Sequence, residues 1–492
     1  MVKIFDKRTK IVCTIGPASS TEDTIRAMIR AGMNVARINF SHGDPETHKQ
    51  AVDLIRRVAE EEATVVAVMC DLQGPKIRLG KIANEPIEVH KGDQLTLTTD
   101  PADGSNMVFP LPHPEFVKDV KVGNRLLLDD GELEFRVIGK QGNNLRCEVV
   151  VGGPLMSNKG VSAPDAKLTL LSLTEKDRKD VELAIQMQAD YLAMSFVRRG
   201  SDMTELRWLV RHLNGDMLLI AKIEKREALE NFDEILVASD GIMVARGDLG
   251  VESPAEEVPI HQKAIIRRCN ECGVPVITAT QMLNSMITNP RPTRAEASDV
   301  ANAIFDGTDA IMLSAETASG SYPVEAVETM ANIARIAEAN LTKDAAYVFG
   351  NTSRDEMNLE RISEATSHAA TQIAEELGAK LIVTSTWTGY TARAVARHRP
   401  VTPILGVTPQ RSTYRRMALI WGVQPVMIPE IRTIDEIIDQ AVKTAQDMKL
   451  VDVNDVLIVI SGQPQAGGGQ TNFLKVHQVA ETEEAVDHTA SQ

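Results

Sequence analysis

Gly241-Ile-Met-Val-Ala-Arg-Gly-Asp-Leu-Gly250 decides the fold: a run of buried-strand character stops in an arginine, a glycine and an acid, Arg246-Gly247-Asp248. A short run that is apolar throughout and charged only at its end reads as a parallel strand covered on both faces. Just upstream, Leu218-Leu-Ile-Ala-Lys-Ile-Glu224 ends the same way. Lys222 and Glu224 are two apart, hence on one side of a strand. If the two strands are neighbours, two carboxylates and two cations lie close together.

Outward from this pair, similar runs recur at Lys10–Pro17, Asn34–Phe40, Val65–Leu72, Tyr191–Val197, Pro275–Thr280 and Ala310–Glu316, making eight in all. Amphipathic segments between them open with helix-start signals, such as Thr174-Glu-Lys-Asp177 and Thr293-Arg-Ala-Glu296 after Pro292. Eight strand-helix units predict an α/β chain built on a (β/α)8 barrel, residues 1–72 and 168–342. The beat breaks once, over residues 73–167, where short β-branched runs among Gly, Pro and Asp predict an all-β domain inserted after the third strand, with no convincing helix. It restarts over residues 343–479 with a helix near Ile362–Leu377 and runs Leu381–Thr386, Pro403–Val407, Gln424–Ile428 and Val456–Ser461. These predict an open-sheet α/β domain with helices on both faces, followed by an acidic, mobile tail at residues 480–492.

The 492 residues are 43% hydrophobic, ample for several cores, and carry a formal charge of −15. That charge disfavours nonspecific binding to nucleic acid or anionic membrane, while leaving small anions as ligands. No apolar run approaches the ~20 residues of a membrane span, and Met1–Lys10 lacks a signal core, so a soluble, cytoplasmic protein is expected. Five cysteines make no disulfide framework. Cys269 and Cys272 form a CxxC without a second pair, and read as structural.

Active sites of barrels collect at the carboxyl ends of the strands. Here those ends carry Thr14, Arg37 with Asn39 and Ser41, Asp71, Ser195, Lys222 with Glu224, Arg246 with Asp248, Thr278 with Thr280, and Ser314 with Glu316. Each alone could be a hydrogen-bonded strand terminus; polar groups at the ends of all eight point to chemistry. Glu224 and Asp248, on strands about 4.8 Å apart, suit one hard cation such as Mg2+ or Mn2+ with water and substrate oxygens completing the shell. The alternative is an ion pair of Glu224 with Lys222 or Arg246. Arg37, Arg78, Lys222 and Arg246 would surround a metal with positive charge, as a transferring phosphoryl group requires. No Walker motif, HExxH or GxGxxG after the first strand is present. His42 and His48 read as part of a helix start at the surface rather than as metal ligands.

The segments Ala36-Arg-Ile-Asn-Phe-Ser-His-Gly43, Asp71-Leu-Gln-Gly-Pro-Lys-Ile-Arg78, Ala221-Lys-Ile-Glu224, Val244-Ala-Arg-Gly-Asp-Leu-Gly250, Ala279-Thr-Gln-Met-Leu283 and Ile311-Met-Leu-Ser-Ala-Glu-Thr317 resemble, in order, the motifs of the pyruvate kinase family. The resemblance implies phosphoryl transfer from phosphoenolpyruvate to ADP, giving pyruvate and ATP. It implies Glu224 and Asp248 as Mg2+ ligands and Lys222, Arg37, Thr280 and Ser314 as catalytic residues. Gly247, Asp248 and Thr280 would hold the substrate carboxylate, and Arg78, Lys159, Asn39 and His42 the nucleotide. Many members bind K+ through residues matching Asn39, Ser41, Asp71 and the Leu72 backbone and carry Glu where this chain has Lys76; the lysine resembles the K+-independent branch, so K+ is expected not to be required. Thr386, Thr388, Gly389 and Thr391 resemble an effector-phosphate loop, and Ser461-Gly-Gln-Pro-Gln-Ala-Gly-Gly-Gly469 a loop closing on a sugar phosphate. Trp387 stands where members activated by fructose 1,6-bisphosphate often carry lysine, which leaves AMP, a sugar monophosphate or an unregulated site open. The family further implies a homotetramer and an inserted domain acting as a lid. Two other readings stand beside this one: a barrel aldolase or mutase acting on phosphoenolpyruvate or pyruvate, and a non-catalytic sensor of phosphorylated metabolites.

Overall fold

The computed structural model describes residues 5–169, 171–341, 359–430, 433–462 and 471–480. Eight parallel strands close into a barrel: β1 Lys10–Thr14, β2 Val35–Asn39, β3 Ala67–Asp71, β4 Tyr191–Met194, β5 Leu218–Ile223, β6 Gly241–Ala245, β7 Val276–Ala279 and β8 Ala310–Leu313. β1 seals the ring, pairing Val12 with Val35 of β2 on one side and with Met312 of β8 on the other. Every one of the eight runs read from the sequence contributes its strand.

Strand alternation splits the barrel into two cores. Val12, Val35, Met69, Ala193, Ile220, Met243, Ile277 and Met312 point inward and fill the lumen, while their neighbours, such as Ile11, Ala36, Val68, Leu192, Leu219 and Ile242, pack against the helices. The same period places the next inward positions, Thr14, Arg37, Asp71, Ser195, Lys222 and Ser314, in a layer directly above this plug. Helix starts form as their sequences dictate: Thr174 and Asp177, like Thr293 and Glu296, cap each other reciprocally at the first turns of Glu175–Gln186 and Arg294–Phe305.

After β3 comes a six-stranded sheet in the spatial order Val161–Ser162, Arg125–Leu128, Leu133–Gln141, Asn144–Val151, Gln94–Thr98 and Val108–Pro110. Its own core centres on Phe109, Phe116 and Phe135. One short helix, Pro114–Asp119, departs from the all-β expectation: Pro114 starts it and Phe116 and Val117 anchor it. The C-terminal sheet holds β9 Leu381–Ser385, β10 Ile404–Thr408, β11 Val423–Met427, β12 Val456–Ser461 and β13 Phe473–Gln478, in the order β11-β10-β9-β12-β13. Apolar clusters cover both of its faces. Antiparallel β13 lies outside the expected strands; its sequence, Phe-Leu-Lys-Val-His-Gln, mixes apolar and polar residues and is half-exposed, as an edge strand's is. Ala418 and Leu419, just before β11, belong to the cluster that fills the barrel lumen, so the C-terminal part closes the barrel's amino-terminal mouth. The residues after Gly462 in the glycine-rich segment, and the acidic tail beyond Ala480, lie outside the described residues. Among the described residues no helix is long and apolar enough to cross a membrane.

Candidate active site

The layer above the lumen plug is a connected polar cluster. Lys222 Nζ donates to Ser195 Oγ at 2.7 Å and pairs with Glu224 Oε1 at 2.9 Å and Asp71 Oδ1 at 3.3 Å. Arg37 Nε donates to Asp71 Oδ2 at 2.7 Å and Nη1 to Thr14 Oγ1 at 3.0 Å. Ser195 Oγ in turn donates to the Leu72 carbonyl at 2.7 Å. Strands β2, β3, β4 and β5 therefore bring a lysine and an arginine to one buried aspartate.

Electrostatics follow from that packing. Burial alone would push the Lys222 ammonium down, but Asp71 and Glu224 outweigh it and its pKa ends above the usual lysine value. At Asp71 burial acts upward, and Lys222 and Arg37 overcome it to hold the carboxyl below its ordinary range. At Glu224 burial wins, helped by the like charge of Asp248, so this carboxyl is pushed up despite Lys222. A buried carboxylate raised by its own desolvation and by a second acid is what a hard divalent cation would relieve, and Glu224 with Asp248 fits such an ion. The ion pair weighed as an alternative is present, between Glu224 and Lys222, but it uses one carboxylate oxygen; the other accepts the Phe196 N–H at 2.7 Å.

Arg246 corrects the expectation that it adds charge around a metal. Its guanidinium turns outward to Asp299 at 2.8 Å and to the Thr280 carbonyl at 2.8 Å. The reason is local: β6 ends at Ala245, and a helix, Arg246–Glu252, starts at the arginine itself. The backbone N–H groups of its first turn have no partner within the helix. Gly247 N–H meets Thr280 Oγ1 at 2.7 Å. Ser314 follows β8, its amide donating to Glu316 Oε2 at 2.7 Å; Glu316 also accepts the Leu283 N–H at 3.1 Å, a structural use of that buried acid.

Arg78 and Lys159 are brought together at the root of the inserted sheet, where Leu79 N–H bonds to the Lys159 carbonyl at 3.0 Å. Arg78 Nη1 reaches the Asn158 carbonyl at 2.8 Å, and Lys159 Nζ reaches Asp129 at 2.7 Å. Asn39 Oδ1 accepts the Ser41 N–H at 3.1 Å, and His42 is exposed beside them. The Lys76 ammonium pairs with Asp248 at 3.8 Å, whereas Asp71 and Leu72 are bonded to Arg37, Lys222 and Ser195. In the C-terminal sheet, Thr386 Oγ1 accepts the Gly389 N–H at 3.0 Å ahead of the helix Tyr390–Ala396; Thr388 is exposed, and Thr391 is buried with its hydroxyl on Thr471 at 2.9 Å. Phe196 lies outside the expected set: its backbone, at φ +55°, aims its N–H at Glu224, and an apolar side chain gives no sequence signal for that contact. Cys269 is buried and Cys272 exposed, and among the described residues no group of three or more His, Cys, Asp or Glu could hold a metal.

The family model described as pyruvate kinase, barrel domain, matches residues 6–327, and the pyruvate kinase alpha/beta domain model matches residues 364–477. The pyruvate kinase of Clostridium perfringens is 44% identical over 475 residues, 96% of this chain and 100% of the relative. Those of Sporosarcina psychrophila and Geobacillus stearothermophilus are 45% and 46% identical over 478 residues, 96% of this chain and 81% of each relative. With both parts of the chain matched and the polar layer in place above the barrel plug, the chain belongs to the pyruvate kinase family.

Proposed function

We propose that the chain transfers the phosphoryl group of phosphoenolpyruvate to ADP at the open end of its barrel, then protonates the enolate to give pyruvate. The observation that carries this reading is Lys222, a buried ammonium kept charged by Asp71 and Glu224 and oriented by Ser195. Such a fixed charge stabilises the phosphoryl group in flight and the enolate oxygen left behind, at no reorganisation cost. Arg37, braced by Asp71 and Thr14, holds phosphoryl oxygens. The Gly247 and Asp248 amides, with Thr280, hold the substrate carboxylate at a helix start, the Gly247 N–H leaving Thr280 Oγ1 to do so. Thr280 and Ser314 pass a proton, through water, to the enolate carbon. A divalent cation, Mg2+ or Mn2+, held by Glu224 and Asp248, would supply further positive charge to the phosphoryl oxygens. Arg78, Lys159, Asn39 and His42 hold the ADP phosphates, and the inserted sheet closes to exclude water.

Pyruvate kinases generally use Mg2+ and K+. Here Lys76, beside Asp248, brings a fixed positive charge to the cleft, and we read the positions matching K+ ligands, Asn39, Ser41, Asp71 and Leu72, as needing no ion for activity. The exposed Trp387 in the loop Thr386–Thr391 supplies no second cation, which favours AMP or a sugar monophosphate over fructose 1,6-bisphosphate as effector. The working form is read as a cytoplasmic homotetramer. A coupled assay for pyruvate tests the whole reading: product should require phosphoenolpyruvate, ADP and a divalent cation, vanish with a chelator, and form equally in potassium and sodium-only buffers. No pyruvate under any of these conditions would sink it. Shifts in the sigmoidicity of the phosphoenolpyruvate curve on adding AMP, glucose 6-phosphate or fructose 1,6-bisphosphate identify the effector.

A further inference from the structure

Directly after β7, Thr280 and Gln281 both stand at positive φ, +70° and +54°. For a β-branched residue this is a strained backbone, kept only where the surroundings over-determine it. Two consecutive residues at the end of β6 do the holding. Gly247 N–H donates to Thr280 Oγ1 at 2.7 Å, while Arg246 reaches the Thr280 carbonyl with Nη2 at 2.8 Å and Nε at 3.3 Å. The Thr280 hydroxyl donates to the Ala279 carbonyl at 2.6 Å, which also takes Arg246 Nε at 3.3 Å. The outer side of the guanidinium is anchored beyond the barrel. Nη1 and Nη2 each lie 2.8 Å from a carboxylate oxygen of Asp299, on the helix Arg294–Phe305. With its side chain only 12% exposed, Arg246 is a strut between an outer helix and the strained turn rather than a surface cation.

We propose that Arg246 is a positioning residue for the Thr280 hydroxyl: braced on Asp299, it holds the left-handed Thr280–Gln281 turn in the arrangement that presents that hydroxyl to the substrate. The inference rests on Thr280 belonging to the relay that protonates the enolate. In that step the methylene carbon gains a C–H bond as a relay O–H bond breaks, water replaces the proton, and nothing is oxidised or reduced. A relay hydroxyl works only within hydrogen-bond reach, and the Arg246 contacts to the backbone on either side of it set that reach.

The test compares Arg246→Gln, Arg246→Lys and Asp299→Asn with Thr280→Val in the full-length protein. Two rates are read: steady-state pyruvate formation, and exchange of pyruvate methyl hydrogens with deuterated solvent in the presence of Mg2+ and ATP, which follows the proton step separately. Arg246→Gln should slow exchange and kcat about 100-fold while KM for phosphoenolpyruvate stays within about threefold. Asp299→Asn and Arg246→Lys should fall between it and wild type. The double variant Arg246→Gln with Thr280→Val should be no slower than Thr280→Val alone. Should Arg246→Gln fail to fold, as thermal melting would reveal, the other two single variants carry the comparison. Unchanged exchange, a loss confined to KM, or losses that multiply in the double variant would overturn the proposal. Inactive wild type instead removes the phosphotransfer reading, and full exchange in Thr280→Val removes the relay assignment on which the proposal stands.

Discussion

At the scale of single residues, Lys222 and Asp71 depend on each other. The ammonium has two buried acids to answer, and Asp71 has two cations. On the proposed mechanism Lys222→Met should lower kcat about a thousandfold, because it removes the charge assigned to the transition state, and it should cost about 3 kcal/mol of stability, since it strands buried carboxylates. Steady-state kinetics and urea unfolding measure the two effects; full activity in this variant would exclude the assigned role. The pH dependence has a definite sign. Asp71, whose folded pKa is lowered, contributes stability that is complete above its unfolded pKa of about 4 and is lost as pH falls through the folded value. Lys222, whose folded pKa is raised, contributes stability that is complete below its unfolded pKa of about 10 and is lost as pH climbs through the folded value. The stability gap between wild type and Asp71→Asn should therefore be constant from about pH 5 to 8 and narrow below about pH 4. Urea midpoints across that range decide it, a constant gap down to pH 3 being the adverse outcome.

At the scale of elements, the segment between β3 and the inserted sheet runs from the polar layer to the root of that sheet. Gly74 sits at φ +68°, its amide on Asp177 at 3.1 Å, and a Cβ there would lie 3.0 Å from the Phe196 ring and 3.1 Å from the Ser195 carbonyl. The chain turns here in contact with the two residues that orient Lys222 and Glu224. Lys76, two residues on, carries that turn to Asp248. Lys76→Glu should acquire K+ dependence, visible as activity in sodium-only buffer falling about tenfold and recovering with potassium; equal activity of this variant in both buffers would rule the reading out. The strands themselves were legible in the sequence, because a parallel barrel strand is apolar throughout until its last inward position turns polar. Lys222, Arg37 and Asp71 could be found by that change alone. What the sequence hid was direction and backbone. Arg246 looked like a strand-end cation, but a helix starts at that residue and turns it away. Phe196 acts through an amide that no side-chain pattern reports. β13 was missed because an edge strand, half-wet, lacks the apolar run that marked the others.

At the scale of the whole molecule, the C-terminal sheet and the barrel are bound by buried ion pairs as well as by packing. Asp190, whose side chain is 1% exposed, accepts from Arg56 at 2.6 Å, from Arg415 at 2.8 Å and from the Val68 N–H at 2.8 Å. Asp309 does the same for Arg399 at 2.9 Å and the Val276 N–H at 2.9 Å. Asp190→Ala strands two arginines and a strand amide, so it should cost about 3–5 kcal/mol, seen as a lowered urea midpoint; a loss under about 1 kcal/mol would show that Arg56 and Arg415 are merely surface charges. Packing adds Ala418 and Leu419, which join the cluster that fills the barrel lumen, and Lys10 Nζ donates to the Val423 carbonyl at 2.7 Å. A gene shortened to encode the barrel and inserted sheet alone would leave Tyr191, Leu218 and their neighbours ringing an uncovered, oily opening. Its product should self-associate, as rising light scattering would record.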